Sequence, residues 1–131
     1  MRILTYAKHQ GEAVLELVER IVPEKHIEVC QTIEHLSDSL RRPAEKKEML
    51  VLLAPATRQE LQEIVSIQPL LENYPIIVIA PDQEGETVAM AHLLRPRFLT
   101  YSGEDPWALV AVMRKIMDRQ EHGREGADSS A

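Results

Sequence analysis

Four residues with charged or ionisable side chains lie close to the ends of predicted strands: Lys8, His9, Asp82 and Tyr101. The carboxyl ends of parallel strands meet at one edge of an open α/β sheet, and ligands usually bind there. A lysine, an imidazole, a carboxylate and a phenol at that edge could bind an anion or form an active site. A salt bridge between Lys8 and Asp82 with no further role is the simpler interpretation.

Alanine occupies the last position of three predicted strands, at Ala7, Ala54 and Ala80. Pro55 directly follows Ala54, in the segment EMLVLLAPATRQE at 48–60. Neither alanine nor proline can act as an acid, a base, a nucleophile or a metal ligand. The residue types at these strand ends therefore predict an edge that carries out no covalent chemistry.

Apolar segments of two kinds alternate along the chain and predict the fold. Short apolar runs predict strands at 2–7, 26–31, 49–54, 75–80 and 97–101. Apolar residues at helical spacing predict helices that begin near Glu12, Thr32, Thr57, Gly85 and Asp105. Thr57 with Glu60 three positions later predicts a capping box. Strict alternation of strands and helices predicts parallel strands with helices on both faces of the sheet.

The character of each strand predicts its place in the sheet. Residues 49–54 and 75–80 are continuously apolar, as expected of strands that are buried on both faces. The second strand alternates, with Ile27 and Val29 on one face, and the fifth is short and begins with Arg97. We therefore place the second and fifth strands at the edges. The prediction is a single α/β domain with the doubly wound, flavodoxin-like order 2-1-3-4-5.

Three segments make the chain resemble the receiver domain of bacterial two-component response regulators. They are EMLVLLA for the third strand, YPIIVIA for the fourth, and RFLTYSGEDPWALVAVMRKIM for the fifth strand and the last helix. The resemblance begins at residue 2 and ends near residue 120, so we expect one domain over 1–120. The small and polar segment 121–131 is expected to be a disordered tail or the start of a linker.

The resemblance assigns functional positions to five residues, none of which is of the type that receivers use. Two adjacent acids bind Mg²⁺ in the family, and Ala7 and Lys8 stand in their places. Ala54 stands at the phosphate-accepting aspartate, Ala80 at the serine or threonine, and Tyr101 at the lysine. The resemblance therefore implies a degenerate pseudo-receiver that is not phosphorylated, is not an enzyme and uses neither a metal nor a cofactor.

The last two predicted helices carry more apolar residues than one inward face requires. In receivers these helices and the strand between them often form a dimer or output surface. By that resemblance, the candidates for a partner-facing surface are Met90, Leu94, Tyr101, Trp107 and Val112. The alternative is that these residues complete the core.

The first hypothesis for function is a phosphorylation-independent protein-interaction domain in bacterial signal transduction or transcription control. It would bind a protein partner, or form a homodimer through the last two helices. The alternative is a small flavodoxin-like ligand-binding domain or enzyme that uses Lys8, His9, Asp82 and Tyr101. A third hypothesis is a purely structural subunit of an assembly.

Composition and charge limit the partners and the compartment. The 131 residues carry a net charge of −6 without a polybasic tract, which argues against direct binding of nucleic acid or acidic membranes. No apolar run approaches the ~20 residues that span a bilayer, and the N-terminus has no signal-peptide pattern, so we expect a cytoplasmic protein. Cys30 is the single cysteine and is expected to be buried in a strand. The five histidines (His9, His26, His35, His92 and His122) show no metal-ligand spacing with one another.

Overall fold

The computed structural model of the chain describes residues 2–7, 16, 18–20, 26–42, 49–104 and 107–118. Five parallel strands form one sheet in the order β2-β1-β3-β4-β5. They are β1 (Arg2–Tyr6), β2 (Ile27–Cys30), β3 (Met49–Leu53), β4 (Ile76–Ala80) and β5 (Phe98–Tyr101). The predicted α/β class and the flavodoxin-like strand order 2-1-3-4-5 are thereby confirmed.

The described helices follow the strands in the predicted alternation. They are α1 (Ile33–Arg41), α2 (Arg58–Ser66), α3 (Gly85–His92) and α4, which comprises residues 107–118. Residues 16, 18 and 19 are also helical, within the helix predicted from Glu12. Several predicted features lie outside the described residues: Lys8, His9, the cap Asp105, His122 and the segment 121–131. None of the described helices combines the length and the apolar content that crossing a bilayer requires.

The burial of each strand agrees with its place in the sheet. Every residue of β3 and β4 is buried, because these strands have neighbours on both sides and helices on both faces. All four residues of β5 are half-buried, and so are three of the four in β2. The prediction that the second and fifth strands are edges is confirmed. Cys30, the last residue of β2, is a buried free thiol, as predicted.

Two apolar layers cover the two faces of the sheet. One face packs against α1, α2 and α3 through a cluster that contains Leu36, Leu61 and Ala91. The other face packs against α4 through a cluster that contains Leu109 and Met113. Successive side chains of a strand point to opposite faces, so each of the buried central strands contributes to both layers. This arrangement is the predicted doubly wound one.

Threonine caps start two of the helices. The Thr32 Oγ1 accepts a hydrogen bond from the His35 N–H at 3.0 Å, and the Thr57 Oγ1 accepts one from the Glu60 N–H at 3.1 Å. Each cap satisfies a helix donor that has no partner within the helix. The predicted start at Thr57 is confirmed, but the second bond of the capping box differs. The Glu60 carboxylate accepts from the Ala56 N–H at 3.3 Å, one residue before the cap.

Two leucines of the helices provide a matched test of these core assignments. Leu61 is 0% exposed in the first layer, whereas Leu93, at the end of α3, is 59% exposed. We expect Leu61→Ala to lower the free energy of unfolding by about 2–5 kcal/mol, because it leaves a cavity. Leu93→Ala should change it by less than about 0.5 kcal/mol. Urea unfolding of both variants measures the difference, and equal losses would contradict the assignment.

Candidate functional site

Alanine side chains close the carboxyl edge of the sheet where β1, β3 and β4 end. Ala7, Ala54 and Ala80 are each 0% exposed. The Ala7 N–H donates to the Cys30 carbonyl oxygen at 3.1 Å, and the Ala54 N–H donates to that of Tyr6 at 2.8 Å. The strand order switches direction between β1 and β3, where this fold usually binds ligands. At that point the two strands are followed by methyl groups, which can neither coordinate an ion nor act as nucleophiles.

Of the four edge residues with ionisable side chains, the structure describes two, Asp82 and Tyr101. The Asp82 Oδ1 accepts a hydrogen bond from the Glu84 N–H at 2.9 Å, at the start of α3. A hydrogen bond from the Thr87 hydroxyl, and next the one from Glu84, lower the pKa of Asp82. Tyr101 is half-buried and lies opposite Ala80 in the register of β4 and β5. Asp82 is therefore engaged in holding the first turn of α3.

Arg58, the first residue of α2, links the start of its helix to the start of α3. Its Nε donates to the Thr87 Oγ1 at 3.0 Å and its Nη1 donates to Glu86 at 2.7 Å. Its Nη2 also donates to the Glu84 carboxylate. The loops after β3 and β4 are thus joined by one guanidinium group. Sequence reasoning missed this link, because its partners lie 26 to 29 positions further along the chain.

A buried hydrogen bond joins the last residue of β1 to α2. The Tyr6 hydroxyl donates to the Glu60 Oε1 at 3.0 Å, and both residues are buried, at 1% and 8% exposed. Burial, and next the hydrogen bond to Glu60, raise the pKa of Tyr6 well above its usual range. The Tyr6 hydroxyl thus serves as a hydrogen-bond donor that ties the end of β1 to α2. A tyrosine directly before Ala7 was the only sequence signal for this contact.

A shallow depression of about 230 Å³ opens beside Tyr6, at the carboxyl ends of β1 and β2. Its lining consists of Tyr6, Gln31, Thr32, Ile33, Glu34 and Glu63. Ligand pockets are usually about 300–1,000 Å³ and mostly apolar, so this depression is small and polar for that use. Its two carboxylates would also repel an anion at the start of α1. The depression therefore does not resemble a nucleotide or flavin site.

A second group of potential ligands lies at the β2 edge of the sheet, where the Cys30 carbonyl oxygen accepts the hydrogen bond from the Ala7 N–H. Glu28, Cys30 and His35 bring an oxygen, a sulfur and a nitrogen atom within 4.8 Å of one another. Burial raises the pKa of the Cys30 thiol to about 11, so the thiol is protonated near neutral pH. The five histidines show no metal-ligand spacing with one another, so this mixed set of ligands was not predicted. The usable signal was a carboxylate and a thiol two positions apart on one strand, followed by a histidine in the next helix.

The predicted partner-facing residues separate into surface and core. Trp107 is 62% exposed, while Met90, Tyr101 and Val112 are half-buried. Leu94 is 2% exposed and belongs to the core layer under α1, α2 and α3, so its assignment to the surface was wrong. The physical reason is that α3 ends at His92, and the Leu94 N–H continues the turn by donating to the Ala91 carbonyl oxygen at 3.1 Å. This turn directs the Leu94 side chain inward.

The structure adds Leu93 to the candidate surface. Its side chain is 59% exposed, and it lies in the turn that leads from α3 to β5. Ala89, one helical turn earlier, is also exposed, and Val88 is half-buried. α3 thus carries apolar residues on its outer side as well as on its inner side, which is unusual for a helix that faces only water.

A scan against protein-family models matches no family, and a search of the curated proteins finds no similar protein. Function is therefore argued from the fold and from the geometry of these residues.

The Tyr6–Glu60 hydrogen bond leads to a prediction about stability and pH. We expect Tyr6→Phe to lower the free energy of unfolding by about 1.5–3 kcal/mol at neutral pH, the range for a hydrogen bond to a charged group. Because the folded state raises the pKa of Tyr6, the unfolded chain loses the phenol proton first. The difference in the free energy of unfolding between wild type and Tyr6→Phe should have its full value below about pH 10. It should decrease as the pH rises further.

Tyr101→Phe, on the edge strand β5, is the matched control and should change stability by less than about 0.5 kcal/mol. Urea unfolding at several pH values between neutral and strongly alkaline would measure all three proteins. A Tyr6→Phe variant as stable as wild type at neutral pH would show that the buried hydrogen bond contributes nothing.

Proposed function

We propose that this chain is a phosphorylation-independent protein-interaction domain of the receiver-like kind, acting in bacterial signal transduction or transcription control. The flavodoxin-like strand order supports the proposal, since receivers have this fold. The fold alone supports many functions. The proposal therefore depends on the reactive residues that the carboxyl edge lacks and on the apolar residues that are exposed beside the edge strand β5.

The alanines at the strand ends support the first half of the proposal. Phosphoryl transfer to a protein needs a nucleophilic side-chain oxygen, and Ala54 supplies a methyl group that is 0% exposed. It also needs a cation, normally Mg²⁺ held by carboxylates, to neutralise the developing charge. Ala7 offers no carboxylate at the corresponding end of β1. A regulatory signal that acts on the domain at this edge would therefore have to be something other than phosphorylation.

The exposed apolar residues carry the second half. Leu93 and Trp107 are the large hydrophobic side chains that are most exposed among the described residues, at 59% and 62%. Leu93 lies in the turn directly after α3, and Trp107 lies at the start of α4; these two helices flank β5. We call the surface formed by α3, β5 and α4 the α3–β5–α4 face. Tryptophan is enriched among the residues that contribute most to binding in protein interfaces.

The path of the chain indicates how far apart the two exposed side chains, Leu93 and Trp107, lie on this face. α3 runs back across the sheet after β4, so Leu93 at its end lies towards the amino edge. α4 follows β5, so Trp107 at its start lies towards the carboxyl edge. The two side chains are thus separated by roughly the length of β5, about 13 Å for four residues. A partner that covers both must lie along the strand, as a second copy of this domain could.

The ligand-binding alternative lacks comparable support. Asp82 accepts hydrogen bonds from the start of α3 and is committed to that turn. Tyr101 lies beside the methyl group of Ala80 in the sheet register. The part of the chain that the structure describes supplies no observation that favours a reaction or a small-molecule ligand at this edge.

Site-specific photo-cross-linking tests the proposal even while the partner is unidentified. The photoreactive residue p-benzoylphenylalanine would replace Trp107 or Leu93 in the full chain, expressed in its native cells. We expect a discrete covalent adduct from both positions, because both side chains lie on the α3–β5–α4 face. Mass spectrometry would identify the adduct as a second copy or as another protein.

Gln62, an exposed residue of α2, is the matched control position and should give no discrete adduct. Trp107→Ala should also weaken the association by about 30-fold, the effect of losing a contact worth about 2 kcal/mol. Sedimentation velocity would measure this for self-association. A discrete adduct from position 62 but none from 93 or 107 would refute the proposed surface.

A further inference from the structure

Three potential metal ligands converge at the β2 edge because of the local β2–α1 connection. Glu28 and Cys30 are two positions apart on β2, so their side chains point to the same face. The Thr32 cap starts α1 directly afterwards, and His35 lies in its first turn. The His35 Nε2 and the Glu28 Oε2 are 3.2 Å apart. The three ligand atoms lie within 4.8 Å of one another.

The donor set suits a particular class of metal ion. A thiolate, an imidazole and a carboxylate are the ligands of Zn²⁺ and similar transition metals, whereas Mg²⁺ and Ca²⁺ prefer oxygen alone. Ligand bonds to Zn²⁺ are about 2.0–2.3 Å long, so ligand atoms around one ion lie roughly 3.3–3.8 Å apart. The longest distance between two of these ligand atoms, up to 4.8 Å, must therefore shorten by about 1 Å when the ion binds. The half-exposed His35 side chain can supply that movement by rotating about its own bonds.

The two oxygens of the Glu28 carboxylate have different neighbours. Arg2 and Arg42 contact its Oε1 at 3.4 and 3.5 Å. The Ser39 hydroxyl donates to the Oε2, which is also the oxygen next to His35. Such outer hydrogen bonds orient a ligating carboxylate. The two arginines also place positive charge nearby, so we expect weaker affinity than at a zinc site made only of thiolates and imidazoles.

We propose that Glu28, Cys30 and His35 form a three-ligand site for Zn²⁺, with the fourth coordination position open to water beside the exposed imidazole. Binding forms a Cys30–metal bond and releases the thiol proton to solvent, because the thiolate is the ligand form. The imidazole binds through the Nε2 lone pair and carries its proton on Nδ1. No oxidation or reduction takes part. The site is independent of the proposed interface, since β2 and β5 are opposite edges of the sheet.

Cobalt(II) is a suitable probe, because it takes the place of Zn²⁺ and is coloured. Coordination by a thiolate produces a sulfur-to-cobalt charge-transfer absorption in the near ultraviolet. Cys30 is the single cysteine of the chain, so this absorption reports on this site alone. The experiment uses the full chain without a histidine tag, titrated with CoCl₂ in the absence of oxidants. We expect the absorption to saturate at one ion per chain, and added ZnSO₄ to abolish it.

Two variants and one control make the test specific. His35→Gln changes an exposed side chain and should weaken Co²⁺ binding by at least about tenfold. Cys30→Ser should remove the charge-transfer absorption. His92→Gln, at an exposed histidine of α3, should bind as wild type does. Zn²⁺ should also raise the melting temperature of wild type more than that of His35→Gln.

Three results would overturn the proposal. The first is the absence of the thiolate-to-cobalt absorption at excess Co²⁺. The second is an affinity for Co²⁺ that His35→Gln leaves unchanged, and the third is an equal loss of affinity in His35→Gln and His92→Gln. If Cys30→Ser does not fold, the comparison of His35→Gln with His92→Gln still decides, because both residues are exposed. Failure here would leave the proposed interface unaffected, since the cross-linking experiment uses other residues.

Discussion

Buried alanines stand at the carboxyl ends of the central strands β1, β3 and β4. β1, β3 and β4 are buried on both faces, and backbone hydrogen bonds run to their last residues, as from the Ala54 N–H to the Tyr6 carbonyl oxygen. Ala7 directly follows β1, Ala54 directly follows β3, and Ala80 is the last residue of β4. This fold usually has reactive side chains at the carboxyl edge of the sheet. In this chain, buried methyl groups occupy that edge and extend the hydrophobic core.

Side-chain hydrogen bonds connect the loops at the same edge of the sheet. Arg58 joins the loop after β3 to the start of α3, and Gln83 donates to Glu104 at 3.2 Å, which joins the loops after β4 and β5. Each exposed pair contributes under about 1 kcal/mol, but together they connect three successive loops. These loops lead into α2, α3 and α4, and the exposed residues Leu93 and Trp107 lie at the end of α3 and in α4.

The sequence predicted the sheet well, because its signals are local. Unbroken apolar runs predicted buried central strands, and Thr57 predicted a helix start that its hydroxyl does cap. The side-chain contacts could not be predicted in the same way. Leu94 points inward because α3 ends early and Arg95 takes a left-handed backbone conformation, with φ of 52°, before β5. The contacts of Arg58 depend on the distance between two loops, which no local pattern encodes. Glu28, by contrast, meets Cys30 and His35 within one short βα connection, so the spacing of these three residues in the sequence is a local signal for their proximity.

The central claim is that the domain recognises a partner through the α3–β5–α4 face and cannot accept a phosphoryl group at the carboxyl edge of its sheet. Intact-mass measurement after incubation with acetyl phosphate and Mg²⁺ tests it most directly, with an active receiver domain treated in parallel to verify the donor. The account predicts a chain of unchanged mass, because the third strand is followed by Ala54 and has no acceptor oxygen at that position. An added phosphoryl group that hydroxylamine removes, as expected of an acyl phosphate, would contradict the account.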